Sequence, residues 1–272
     1  MLRELKELVG RTVVARDGDI GEVKDVYFDD EAWGVRYLVT DIGSWTAEGR
    51  VLISPYSVED AELASGVVRV DLTRQQVKDS PGIDTHKPVS RQHEAEYLRY
   101  YGFPMYWGGP NLWGMDMYPV PGFGGGASAI PADVREQLAK YGDKPPGDAH
   151  LRCMSVVERY HIEAADGSMG HVCGFIFDDE AWVIRYLEVD TRNLWSGGKK
   201  VLLATQWIDL IDWYGSSIST PLTREAIGNS PEYDESIRID RLYETRLHDF
   251  YQRNGYWASD DKGHAMQVAH AL

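Results

Sequence analysis

Short runs of alternating apolar and polar residues fill most of this chain, and each run ends in residues that favour turns. Arg11 to Ala15 reads as a strand that turns at Asp17-Gly18, and Gly21 to Phe28 runs back from it. Asp-Gly suits a tight hairpin because both residues tolerate positive φ. Trp33 to Ile42 follows, rich in aromatic and β-branched residues, with Val35, Tyr37 and Val39 on one face and Arg36 and Leu38 on the other. A loop over Gly43 to Gly49 precedes Val51 to Ser54. Val58 to Leu63, a turn at Ser65-Gly66, and Val67 to Val70 complete the set. Short strands at this spacing predict a small antiparallel barrel or sandwich.

Two helical pieces come next. Thr73 with Gln76 three residues on forms a capping box, and Ser80-Pro81 stops that helix. Over Arg91 to Tyr101 the residues Tyr97, Tyr100 and Tyr101 share one helical face, which predicts that the helix covers its own barrel.

The whole pattern then occurs a second time. Asp17-Gly18 returns as Asp166-Gly167, Phe28-Asp29-Asp30-Glu31-Ala32-Trp33 as Phe177-Asp178-Asp179-Glu180-Ala181-Trp182, and Arg36-Tyr37-Leu38 as Arg185-Tyr186-Leu187. The register reaches back to Leu2-Arg3 and Leu151-Arg152. After a one-residue insertion it carries Leu72-Thr73-Arg74 onto Leu222-Thr223-Arg224, Arg91 onto Arg241, Glu94 onto Glu244 and Tyr106-Trp107 onto Tyr256-Trp257. Internal repetition of this kind predicts two copies of one fold. The expected layout is a barrel over 2–90, a helical extension over 91–107, a linker over 108–150, a second barrel over 151–236, and a helical extension and tail over 237–272. Equivalent apolar surfaces are expected to pair the two barrels within the chain, about an approximate twofold.

The linker departs from an ordinary spacer. Glycine and proline deny it regular structure, yet it holds Trp113, Met115, Met117, Tyr118, Pro119 and Phe123 before Gly124-Gly125-Gly126. Such side chains are expected to pack rather than float, with docking of a partner as the other reading. Pro131 to Tyr141 predicts a short helix, with Pro131 at its start and Gly142 after its end.

Asp-Gly-x-x-Gly, then Phe-Asp-Asp-Glu-Ala-Trp, Arg-Tyr-Leu, an apolar Val-Leu strand and the Leu-Thr-Arg helix together resemble the PRC-barrel family in tandem form. This family is named for the cytoplasmic domain of the photosynthetic reaction centre H subunit, and related barrels occur in a 16S rRNA maturation factor that binds a ribosomal protein. Ser80-Pro81, Pro88 to Glu94 and Tyr100-Tyr101-Gly102 resemble the extension of bacterial two-barrel members. The resemblance implies a mainly β fold with short helices, used for protein contacts. It supplies no catalytic motif.

Composition narrows the role further. Of 272 residues, 43% are hydrophobic and 26% charged, as expected of two globular domains. The net charge of −15 disfavours general affinity for nucleic acid or anionic lipid, since phosphates repel acidic surfaces. No apolar run approaches the ~20 residues of a membrane span, and the start lacks a signal-peptide core, so a cytoplasmic location is expected. Cys153 and Cys173 face Glu4 and Lys24 in the other copy, which argues against a shared thiolate site. The carboxylates at Asp29-Asp30-Glu31 and Asp178-Asp179-Glu180 lack the alternating spacing of a calcium loop, so solvated turns are expected. The histidines form no constellation common to both copies. Phosphate-loop, nucleophile-elbow and zinc-protease motifs are all missing, so no enzyme, no cofactor and no metal is expected.

Candidate structural or interaction residues are therefore Trp33, Arg36, Tyr37, Trp182, Arg185 and Tyr186 from the repeated strand, with Trp107, Trp113, Tyr118 and Phe123 from the extension and linker. The leading function is a non-catalytic adaptor or scaffold with an unidentified protein partner. Alternatives are a ribosome-assembly or RNA-processing accessory, a photosynthesis-related protein like the reaction-centre H subunit, and a small-molecule binder or enzyme.

Overall fold

The computed structural model describes residues 1–43, 49–60, 66–82, 89, 91–120, 150–192 and 198–258. The chain is mainly β and forms two sheets. In the N-terminal half the strands are β1 (Leu2–Glu4), β2 (Thr12–Ala15), β3 (Gly18–Asp29), β4 (Val35–Asp41), β5 (Arg50–Ile53), β6 (Val58–Asp60) and β7 (Val67–Val70). The C-terminal half contributes β8 (Leu151–Cys153), β9 (His161–Ala164), β10 (Gly167–Asp178), β11 (Val183–Asp190), β12 (Lys200–Ala204), β13 (Leu210–Asp212) and β14 (Ser217–Ser219). The predicted helix over 131–141 lies outside the described residues.

The two sheets share one topology, β5-β4-β3-β2-β7-β6 and β12-β11-β10-β9-β14-β13. Most neighbouring strands pair antiparallel, as β3 does with β2 and β4, whereas β2 runs parallel to β7 and β9 parallel to β14. Among the described residues no ladder joins the outer strands of either path, so neither sheet is closed. Both must nevertheless curl. Flat, the outer strands of six would lie ~24 Å apart at five spacings of ~4.8 Å. The chain from Ile53 to Val58 reaches only ~17 Å when fully extended. That connection is a single 3-10 turn, Pro55–Ser57, so the sheet must curl enough to bring β5 and β6 within its reach.

The repeated Asp-Gly-x-x-Gly motif has a physical role at each fixed position. Gly18 and Gly167 adopt φ of 131° and 129°, which the hairpin needs and a side chain resists. A Cβ on Gly21 would stand 1.9 Å from the Asp41 carbonyl oxygen, and one on Gly170 would stand 2.2 Å from that of Asp190. Glycine there lets the neighbouring strand approach. Asp17 Oδ1 accepts the Arg74 N–H at 2.8 Å, and Asp166 Oδ1 accepts that of Arg224 at 2.7 Å, tying each hairpin to its Leu-Thr-Arg helix. The predicted capping box is present, with Thr73 and Gln76 each satisfying the other's backbone.

The chain divides into two compact units, the first being Met1, Arg3–Val157 and Phe177–Ile184, and the second Leu2, Glu158–Ile176 and Arg185–Leu272. Within the first unit β8 adds to β3, pairing Cys153 with Tyr27, Arg152 with Phe28 and Leu151 with Asp29. Arg152 Nε donates to Asp30 Oδ2 at 2.8 Å. The equivalent residues of the repeat make the same contact, Arg3 Nε donating to Asp179 Oδ2 at 2.6 Å. The acidic turns are therefore not simply solvated as expected. Asp29 is buried, Asp30 and Asp179 are paired, and only Glu31 and Glu180 face water.

The helix Arg91–Tyr101 covers its own sheet, as its tyrosine face predicts. Tyr97 is buried, donates to the Leu52 carbonyl at 3.0 Å and accepts the Ser54 N–H at 3.1 Å. Tyr100 instead lies largely exposed and donates to the Gln76 carbonyl. In the second unit the helix Arg241–Phe250 buries Leu247, while Phe250 remains exposed.

Candidate functional site: a stacked arginine and a buried glutamate

Strand β4 is buried on both faces, so the alternation that separates Arg36 from Tyr37 sends both into the interior. Arg36 is 2% exposed. Its Nε donates to Asp29 Oδ2 at 2.6 Å, across the turn that links β3 to β4. Its guanidinium lies 3.9 Å from the centre of the Tyr106 ring and 4.6 Å from that of Trp113. Gly34 makes room for it, since a Cβ there would fall 2.5 Å from Arg36 Cζ. A delocalised cation of this shape gains from aromatic faces and a carboxylate together, which a lysine would not reproduce.

Tyr37 points to the helix. Its hydroxyl donates to Glu94 Oε1 at 3.1 Å, and the Tyr106 hydroxyl donates to the same oxygen. His150 Nε2 lies 2.7 Å from Glu94 Oε2, and Arg91 Nη1 lies 3.6 Å from it. Arg91 stacks on Trp107 at 4.7 Å. Burial, with the Glu94 charge next in size, pushes the hydroxyls of Tyr37 and Tyr106 well above the usual tyrosine range. Beside this cluster opens a cavity of about 270 Å³ whose lining includes Arg36, Arg91, Tyr106, Trp107, Asn111 and His150.

The second unit builds the same cluster from equivalent residues. Tyr186 and Tyr256 donate to Glu244 Oε1 at 2.8 and 2.9 Å, and Arg241 Nη1 lies 3.0 Å from Glu244 Oε2. Arg185 stacks on Tyr256 at 3.9 Å and Arg241 on Trp257 at 4.2 Å. A histidine joins here too, His248, with Nε2 3.1 Å from the Tyr186 hydroxyl and Nδ1 3.1 Å from the Asn254 carbonyl. Non-equivalent sequence positions thus supply the histidine: His150 lies before copy two, and His248 stands where copy one has Leu98.

Residues 2–77 match the family model of the PRC-barrel domain. The N-terminal repeat is a PRC-barrel domain. A search of curated proteins finds no match. The matched range contains Asp29, Arg36 and Tyr37 of the PRC-barrel domain, whereas Arg91, Glu94, Tyr106, Trp113 and His150 all come from beyond it. The polar cluster is therefore built jointly by the PRC-barrel domain and the extension that follows. The second sheet repeats the strand order of the first.

Of the residues nominated from sequence, Arg36, Tyr37 and Trp113 gather with Trp107 around this cluster. Arg185 and Tyr186 do so in the second unit. Trp33 stands apart, stacked on Phe28 at 5.5 Å with φ of 60°, and Trp182 packs on Phe177 at 5.9 Å with φ of 53°. A left-handed tryptophan is strained, and both are held by burial and by closing an Asp-to-Trp backbone turn. The linker divides in two: Trp113 is 1% exposed and its Nε1 donates to the Ala181 carbonyl at 2.8 Å, whereas Met115, Met117 and Tyr118 face solvent. Phe123 lies outside the described residues.

Glu94, Glu244 and their arginines were missed as site residues, although the repeat register had marked them. Charged residues that persist between copies on an otherwise changing helix were the usable signal. Chemically, the cluster combines buried carboxylates, tyrosine hydroxyls and stacked guanidiniums. Cys153 and Cys173 are each pushed up to about 12, first by burial and then by Asp25 and Glu188 respectively, which disfavours the thiolate.

His248 makes the second unit sensitive to acid. Burial is the largest cause holding its pKa below the ordinary histidine value. The unfolded chain therefore takes up this proton first as pH falls, so the contribution is intact above ~6.5 and declines below it. Thermal melts from pH 7.5 to 5 are expected to show a downward slope that His248→Leu, the copy-one residue, reduces. One proton limits the difference to ~1.4 kcal/mol per pH unit. Parallel slopes for the two proteins would refute the assignment.

Proposed function

We propose that the chain is a non-catalytic cytoplasmic adaptor whose PRC-barrel domain and extension present an apolar strip to a basic protein partner. The observation that carries this reading is the segment after Trp113. Met115 is 77% exposed, Tyr118 is 52% exposed, and Met117 and Val120 are nearly half exposed. Apolar side chains concentrated in this way on a surface usually mark a contact. Methionine adapts to varied partners, and the buried Trp113 anchors the strip to the domain. The net charge of −15, with Asp116 exposed inside the strip, favours a basic partner and speeds its encounter. A ribosomal protein has this chemistry, and on the ribosome-assembly reading the chain would co-sediment with ribosomal particles.

The test is quantitative binding to a partner that has been isolated by affinity purification, identified and then produced alone. Combined replacement of Met115, Met117 and Tyr118 by serine is expected to weaken binding at least ~10-fold, with Tm unchanged and with the remaining affinity falling as salt rises. Undiminished affinity, or a lowered Tm showing that the strip packs, would reject the reading.

A further inference from the structure

Most of the hydrogen-bonding capacity around the 270 Å³ cavity is already committed. Asp29 receives Arg36 Nε on one oxygen and the Ala32 N–H on the other. Glu94 Oε1 accepts two tyrosine hydroxyls, and Oε2 faces His150 and Arg91. What remains is donor capacity on the two arginines and one acceptor, Glu94 Oε2, which has no hydrogen-bond partner among the described residues either. Arg36 Nη1 is buried without a hydrogen-bond partner among the described residues, and Arg91 Nη1 has only Glu94 Oε2, beyond hydrogen-bond range at 3.6 Å. A guanidinium carries five N–H donors and does not deprotonate, so these groups cannot relieve the deficit by titrating. Buried donors without acceptors are unfavourable, and a ligand that supplies acceptors recovers that loss.

The two arginines are also held in place. Both guanidiniums lie over the Tyr106 ring, at 3.9 and 5.3 Å, and Arg91 has Trp107 as a second surface. Each guanidinium is a planar fork of donors, and a carboxylate, whose two oxygens accept side by side, matches such a fork. Glu31, exposed on the lining, repels a second negative charge.

We propose that this cavity is a carboxylate-binding site read by Arg36 and Arg91, selective for ligands with a single carboxylate. Two sources share that chemistry, a free small carboxylate such as an amino acid, and the C-terminal end of a peptide.

Calorimetric titration of the full chain separates them, with acetate, alanine, acetamide, and a tetrapeptide carrying either a free or an amidated C terminus as probes. Saturable heat is expected with carboxylates and none with acetamide or the amidated peptide. Arg91→Gln is expected to weaken binding at least ~10-fold while leaving circular dichroism unchanged. Binding by acetate and alanine assigns the site to small molecules, and binding by the free-acid peptide alone assigns it to chain ends. The proposal is overturned if no carboxylate binds at millimolar concentration, if acetamide binds equally well, or if Arg91→Gln and Arg91→Lys both bind as the parent does. These outcomes do not depend on the apolar strip, so the adaptor reading stands or falls separately.

Discussion

Arg36→Ala is expected to cost the first unit on the order of 3–5 kcal/mol, since it strands Asp29 as a buried charge without its partner. Both members of the pair are almost wholly buried, at 2% and 4% side-chain exposure, so water cannot replace the lost contact. The truncation also removes the cation from between Tyr106 and Trp113 and leaves a cavity among the rings. Arg36→Lys keeps the charge but loses the planar group, and is expected to fall between parent and alanine variant. Urea unfolding followed by tryptophan fluorescence measures the effect. A change below ~0.5 kcal/mol, the range of ordinary surface substitutions, would mean that the pair contributes nothing net.

Trp113→Ala is expected to cost a similar ~3–5 kcal/mol, the range for deleting a large buried aromatic. The indole packs edge-on to Tyr56 at 4.9 Å, and its loss strips the Ala181 carbonyl of the N–H that donates to it. Tyr118→Ala, five residues on and half exposed, is the internal comparison and should stay within ~0.5 kcal/mol. Arg36 and Trp113 touch, so the double variant should lose less than the sum of the two. Strict additivity would show that the stacking has no energetic weight. Equal costs for Trp113→Ala and Tyr118→Ala would remove the distinction between a packed anchor and an exposed strip.

The sequence by itself determined what local rules encode. Strand positions followed from alternation, and β2 to β7 fall within a few residues of where the pattern places them. Asp17-Gly18 announced a hairpin because φ of 131° excludes most side chains, and Thr73 with Gln76 announced a cap because those groups satisfy each other within one turn. The duplication was readable because identical local demands recur in register. Tertiary structure alone decided where distant groups converge. β1 and β8 are too short to show a period, and β8 is defined by the strand edge it finds on β3 rather than by its own three residues. The parallel pairing of β2 with β7 joins strands far apart in the sequence, and no local pattern marks it. Glu94 looked like one more helix acid until burial against Tyr37, Tyr106 and His150 made it the centre of a cluster. His150 and His248 occupy unrelated sequence positions and join the two clusters at different points, His150 beside Glu94 and Tyr106 and His248 beside Tyr186, because only the folded path of the chain brings either side chain there.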